Sequence, residues 1–224
     1  MEKFKETIFK IYEVIQSSLF PRRCAGCKIK GTYLCNPCTT DIPLRGSYGD
    51  KAIFSVAPYN HPTIRQLIWL LKYKGIREIS EIFAGWLYEA MLEDLSETKI
   101  YREQSGKILI IPIPLSKKRL RQRGFNQAEE IAKHLAEMDQ KLFHLEINNL
   151  IRIKNTKTQV SVKNRTERLN NLKGTFRVIN PKILRGRTII LLDDVATTGT
   201  TLNEAEKALN HGKPRKVIRV TVTG

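Results

Sequence analysis

The chain has 224 residues, 41% of them apolar, and its 39 lysines and arginines against 22 aspartates and glutamates give a net charge of +17. That length supports a full hydrophobic core in one main domain, and no apolar stretch reaches the roughly 20 residues that a membrane-spanning helix needs. A field this positive draws polyanions, whether nucleic acid or a pyrophosphorylated small molecule, without choosing between them.

Phe4, Ile8, Ile11, Ile15 and Leu19 recur at helical spacing, and Pro21 closes that element. Packing against the main domain is preferred to a membrane-surface role, because Glu2, Glu6 and Glu13 dilute the basic face such a helix would need. The opening Met1-Glu-Lys-Phe-Lys-Glu6 lacks a signal-peptide core, so a soluble, cytoplasmic protein without membrane insertion is expected. Cys24-Ala-Gly-Cys27 and Cys35-Asn-Pro-Cys38 then place all four cysteines in two knuckles, with Gly31 between them to turn the chain. The spacing predicts one tetrahedral zinc site with four cysteine ligands, a small zinc finger. Two disulfides or a redox pair are the alternatives, and the absence of a secretion signal weighs against them. His61, His134, His144 and His211 are all remote from the cysteines in sequence, and a closed four-cysteine set keeps no open position for chemistry. The metal is therefore expected to be structural. Residues 1–50 read as a helix plus zinc module, too small to hold a core alone, and residues 51–224 as the main domain.

Beyond the module, Ile53 to Tyr59 reads as a strand, Thr63 to Tyr73 and Ile79 to Leu92 as helices, and Ser96 to Ser105 as a polar surface connection. Lys107 to Pro112 is a buried strand. Asn126 is placed to cap a helix whose inner face is Ile131, Ala132 and Leu135. Leu150 to Ile153 and Gly174 to Ile179 read as strands, followed by the apolar run from Ile189, a helix from Thr201 to Asn210, and a last strand from Lys216 to Val222. Strands alternating with helices predict an α/β fold: a parallel or mostly parallel sheet flanked by helices, with ligand sites beyond the carboxyl ends of its strands.

The most informative segment is Ile189-Ile-Leu-Leu-Asp193-Asp194-Val195-Ala196-Thr197-Thr198-Gly199-Thr200-Thr201. A β-branched run delivers two carboxylates to a strand end, and a hydroxyl-rich turn with one glycine opens the next helix. Amides and threonine hydroxyls at a helix N-terminus suit a phosphate. The aspartates repel that phosphate and suit ribose hydroxyls, or a magnesium ion held through water. A buried strand ending in solvated aspartates and a threonine cap is the plain alternative. Neither G-x-x-x-x-G-K-[ST] nor G-x-G-x-x-G occurs, so a P-loop and a dinucleotide site have no support. The densest basic run is Lys117-Lys-Arg-Leu-Arg-Gln-Arg123. A second extends from Arg152 through Lys154, Lys157, Lys163 and Arg165 to Arg168, where a solvated loop and a functional surface are equally open.

The segment ending in Asp193-Asp194 and Thr-Thr-Gly-Thr-Thr resembles the PRPP-binding motif of type I phosphoribosyltransferases. The resemblance implies Asp193 and Asp194 as the catalytic-site acids at the ribose 2′ and 3′ hydroxyls, with Ala196 to Thr201 around the 5′-phosphate. It also implies that the loop after the first core strand, Leu115-Ser116-Lys117-Lys118-Arg119, holds pyrophosphate. The Cys-x-x-Cys knuckles, Leu70-Leu-Lys-Tyr-Lys-Gly75, Pro112-Ile-Pro114, Arg119-x-Arg121-x-Arg123-Gly-Phe-Asn-Gln-Ala128 and the Asp-Asp loop together resemble the bacterial ComF (ComFC-type) competence family. Thr156-x-Thr158-Gln159 and Arg165-x-x-Arg168 fit its later segment.

That resemblance implies a cytosolic phosphoribosyltransferase-like protein using PRPP and Mg2+, linked to uptake of transforming DNA, with single-stranded DNA and a competence helicase as candidate partners. Arg119, Arg121 and Arg123 are the candidate nucleic-acid contacts. The implied chemistry is displacement of pyrophosphate at ribose C1 by a nitrogen nucleophile, for which no general base can be named. The alternative is a non-catalytic DNA-binding factor that uses the pocket as a ligand sensor or a phosphate grip. Because the chain stops at Thr223-Gly224, any base-facing hood is expected from the N-terminal region.

Overall fold

The structure, a computed structural model, describes residues 21–44, 53–97, 106–154 and 174–224. Its centre is a five-stranded parallel sheet in the order β1-β7-β6-β2-β3, comprising β1 (Phe54–Ala57), β2 (Ile108–Pro112), β3 (Phe143–Leu145), β6 (Thr188–Val195) and β7 (Lys216–Thr223). A parallel sheet is covered on both faces, so its central strands are apolar on both sides. β2 shows this directly. Ile108 and Ile110 enter one core, and Leu109 and Ile111 enter the other.

The first core is closed by α2 (Pro62–Trp69), α3 (Glu78–Glu97) and α5 (Gln127–Met138), with Ile64, Leu67, Phe83, Leu87, Ile131 and Leu135 all fully buried. Each such side chain contributes roughly 1.5–3 kcal/mol by leaving water. The second core is closed by α6 (Thr200–Asn210), through Leu202, Ala205 and Leu209, and by Leu150 and Phe176. These last two belong to β4 (Leu150–Arg152) and β5 (Phe176–Val178), which pair with each other as an antiparallel two-stranded sheet. The two strands expected there exist, but outside the parallel sheet.

Other departures have local causes. The helix expected over 63–73 stops at Trp69 and continues as one π-helical turn, Leu70–Lys74, closed by the Gly75 amide donating to the Leu70 carbonyl with Gly75 at φ 68°. α3 runs on to Glu97, into the stretch expected to be a connection. Lys117–Arg123, expected to begin as a loop, is a short helix, α4: Ser116 Oγ accepts from the Arg119 amide and Gly124 ends it at φ 78°. β3 is three residues long and carries too little pattern to be found by periodicity.

The sheet order sets where a ligand can sit. From β2 the chain passes through α5 to β3 on one side, and from β6 through α6 to β7 on the other. The crevice between the carboxyl ends of β2 and β6 is thus the switch point of the sheet.

The cysteine module packs on the α2 side. Ala25 and Ile42 are buried in the first core, Tyr33, Leu34 and Leu44 pack against it, and Arg22 pairs with Glu78 at 2.9 Å. Its only helix among the described residues is α1 (Asn36–Thr40), where Pro37 occupies the first turn, in which a missing N–H costs nothing. Among the described residues, no helix is long and apolar enough to cross a membrane. The helix expected over Phe4 to Leu19, the boundary at residues 50/51, and Thr156, Thr158, Gln159, Lys157, Lys163, Arg165 and Arg168 lie outside the described residues.

Candidate functional site

At the end of β6 the alternation that sends Ile189 and Leu191 to one core and Ile190 and Leu192 to the other reaches the two acids. Asp194 meets Lys72 from the α2 side, with Nζ 3.0 Å from Oδ1 and both side chains largely buried. Asp193 feels the opposite flank, where its charge acts on Arg152. Its Oδ1 accepts the Asp194 amide at 2.9 Å. Burial first, and then the neighbouring Asp194 carboxylate, push Asp193 up to about 7 against the pull of Lys72, the Asp194 amide and Arg119. The pair is therefore asymmetric: one acid is tied to a lysine and the other is poised near neutrality.

The turn that follows is set by two constraints. The Ala196 amide donates to the Thr223 carbonyl at 2.9 Å, pinning the turn to β7, and Gly199 takes φ 65° as the N-cap of α6. That left-handed conformation is close to free for glycine and costs other residues roughly 1–2 kcal/mol. Thr198 and Thr200 bring their hydroxyls within 2.8 Å of each other. With the amides at the start of an eleven-residue helix, these hydroxyls form a donor set suited to a phosphate.

Across the crevice, the loop after β2 contributes Leu115, Ser116, Lys118 and Arg119 to the same cavity, while Lys117 is exposed and does not line it. The cavity measures about 920 Å³ and is floored by Asp193 and Asp194, with Val195 to Thr201 along one wall. Helical spacing divides the basic run. Arg119 and Arg123, four residues apart on α4, both line the cavity, and Arg121 is exposed elsewhere.

The block Arg123-Gly-Phe-Asn-Gln-Ala128 acts as the brace behind that wall. Asn126 Nδ2 donates to the Ile113 carbonyl at 3.0 Å, so the residue expected to cap α5 holds the loop backbone instead. Arg123 donates to Gln127 Oε1 at 2.7 Å and lies over the Tyr73 ring, and the Phe125 ring carries Arg77.

Several lining residues escape a motif-by-motif reading. Lys72 was visible only inside Leu70-Leu-Lys-Tyr-Lys-Gly75, and Arg152 only as the start of a basic segment. Arg152 sits over Phe176, and burial and then the Arg119 charge lower its pKa against the pull of Asp193. At the mouth, Trp69 (43% exposed) and Tyr73 (66% exposed) have ring centroids 6.4 Å apart, with Lys74 over Trp69. The only signal for the pair in sequence is their i, i+4 spacing.

The four cysteines converge as expected. All four sulfurs lie within 4.8 Å of one another, and Cys35 Sγ is 3.5 Å from both Cys24 and Cys27. Zn–S bonds of about 2.3 Å give tetrahedral edges of about 3.8 Å, so the set fits zinc. All four thiols are free, and 3.5 Å is far beyond the roughly 2.05 Å of a disulfide bond. The Cys35 sulfur, then burial, push Cys38 up to about 12, a sign of how strongly the packed sulfurs require a cation before all can ionise. A Cβ at Gly26 would meet Cys38 Sγ at 2.7 Å and Thr63 Oγ1 at 3.2 Å, so this glycine lets the knuckle seat on α2. In the cavity, carboxylate oxygens are the anionic donors and the lining has no cysteine or histidine, a set that fits magnesium held partly through water.

The chain is similar to known proteins. The family model for the phosphoribosyl transferase domain matches residues 120–223, which include β6, its acids and the phosphate-type turn. Competence protein F of Haemophilus influenzae is 31% identical over 202 residues, covering 83% of this chain and 83% of that protein. Competence protein ComFC of Bacillus subtilis is 35% identical over 171 residues, covering 75% of this chain, which spans 62% of that relative's length. Among solved structures, a Trypanosoma cruzi hypoxanthine phosphoribosyl transferase aligns over 65% of this chain and 64% of its own at 10% identity, with a TM-score of 0.41. That likeness is slight, and the fold assignment rests on the strand order and the domain match.

Proposed function

Since the chain belongs to the ComF competence family and has a phosphoribosyltransferase domain as its core, we propose that the cavity binds 5-phosphoribosyl diphosphate with Mg2+ and transfers or senses its phosphoribosyl group. One observation carries this reading: a carboxylate pair at a strand end, with a helix N-terminal turn on one side and a cation-bearing loop on the other, all facing one cavity of about 920 Å³. The Ala196 to Thr201 turn receives the 5′-phosphate. Asp193 and Asp194 accept from the ribose hydroxyls and fix C1 towards the crevice. Leu115 to Arg119, with Lys118 and Arg119 as the cations, receive the diphosphate.

Transfer would break the C1–O bond to diphosphate and form a C1–N bond to the acceptor, whose proton leaves to solvent or to the departing diphosphate. Asp193 would hold magnesium through water, and the ion when bound would supply charge neutralisation at the diphosphate. The protein's own part is orientation and stabilisation of the leaving group. Calorimetry with PRPP and Mg2+ tests the reading: binding at micromolar levels, lost in Asp193→Asn/Asp194→Asn, supports it, and no binding by the wild type sinks it. Pyrophosphate release across bases, amines and single-stranded DNA separates transfer from sensing.

A second reading is favoured by the cavity mouth. Exposed Trp69 and Tyr73, with Lys74 and Arg123 against their rings, suit unstacked bases, and the net charge of +17 suits a phosphate backbone. The relatives are named for competence and, in Escherichia coli O157:H7, for DNA utilization. On this reading the protein handles single-stranded DNA, with Arg119 and Arg123 at the cavity and Arg121 outside it, alongside a competence helicase. DNA affinity that falls steeply with salt and is reduced in Tyr73→Ala supports it.

A further inference from the structure

Lys72 lies outside both phosphate-type loops, yet its ammonium sits 3.0 Å from Asp194 and lines the cavity with a side chain only 15% exposed. The π-helical turn that carries it inserts one extra residue into the end of α2. Lys72 is thereby aimed inward while Tyr73, its neighbour, stands in solvent at the mouth. Burying an ammonium has a desolvation cost, and the Asp194 carboxylate offsets it.

The placement is directional. The turn at Ala196 to Thr201 leads into α6, on one face of the sheet, whereas Asp194 and Lys72 lie on the face covered by α2, α3 and α5. A sugar held by its 5′-phosphate at the turn and crossing the strand end would present its C1 substituent to that second face.

Resting on the PRPP reading of the cavity, we infer that Lys72 is a diphosphate-binding residue: an internal cation, oriented by Asp194, that meets the C1 diphosphate from the side opposite Arg119. An ammonium has three donors, so one can stay on Asp194 while another reaches a phosphoryl oxygen. The fixed positive charge then supplements magnesium at the leaving group.

The test compares PRPP, inorganic pyrophosphate and ribose 5-phosphate as calorimetric ligands in wild type, Lys72→Met and Lys72→Arg. The expected result is a loss of roughly 10- to 100-fold in PRPP and pyrophosphate affinity in Lys72→Met, with ribose 5-phosphate affinity within about 2-fold, and partial recovery in Lys72→Arg. Retained ribose 5-phosphate binding also shows that the variant is folded. An equal loss for PRPP and ribose 5-phosphate makes Lys72 merely a strut for Asp194 and overturns the inference while leaving the reading of the cavity intact. Pyrophosphate binding that depends on Lys72 in a protein that does not bind PRPP overturns that reading, and with it the C1 assignment, and leaves Lys72 a site for free pyrophosphate alone. A wild type that binds neither overturns both.

Discussion

At the end of β6 one unbroken stretch, Asp193 to Thr201, supplies carboxylates, amides and hydroxyls, whereas the facing cations come from separate elements: Lys72 at the end of α2, Arg119 on α4 and Arg152 on β4. The first half of the site depends on local backbone geometry, on a single glycine in a left-handed turn and one amide pinned to β7. The second depends on how helices pack. A contiguous site should fail by local strain and an assembled one by loss of tertiary support, so the two halves can be broken separately.

The largest effect is expected from the assembled half. Cys35→Ser, or removal of the metal by a strong chelator, should release the module that seats on Thr63 of α2, lowering stability by several kcal/mol. Zinc content by elemental analysis and the melting temperature measure this; a variant with no zinc and an unchanged melting temperature would falsify the structural role. Gly199→Ala strikes the contiguous half. It should cost about 1–2 kcal/mol from the φ of 65° and weaken phosphate-bearing ligands while leaving zinc content unchanged.

A subtler probe is pH. Asp193 is pushed from its ordinary value of 3.8 up to about 7, so between these values the folded protein holds a proton that the unfolded chain releases. Its contribution makes the ligand-free protein less stable as pH rises through that window, and the decline should be smaller in Asp193→Asn. Melting curves from pH 4 to 8 show the difference, and parallel curves for the two proteins would reject it. The smallest effect is expected from Arg121→Ala, which should change PRPP affinity less than about 2-fold, against roughly 10-fold for Arg119→Ala, because only the latter lines the cavity. Equal losses would mean that α4 presents a different face.

The legibility of each part in the sequence follows the same division. The acids, the turn and the cysteine knuckles were readable because their chemistry depends on spacing within one short segment, and the sheet because buried parallel strands are apolar runs. α4 was hidden: seven residues with no apolar stripe offer periodicity nothing to detect, and its helix is set by Ser116 and Gly124 at its ends. Lys72 was legible only as part of Leu70 to Gly75 and Arg152 only as the start of a basic segment of open role, because burial is a property of the folded chain. Their partners lie far along the sequence, and one of them required a π-turn that no spacing rule announces. Asn126 was placed correctly as the residue before α5, but its bond to Ile113 depends on a contact between elements.

Placing neighbouring aspartates on a strand end, with their side chains bound for opposite faces, has a stereochemical consequence. On the proposed reading a vicinal diol would engage both arms, whereas a 2-deoxy sugar would engage one and leave Asp194 to Lys72. If the cavity takes the pentose proposed above, its floor would thereby distinguish oxygenated from deoxygenated sugars through two consecutive side chains.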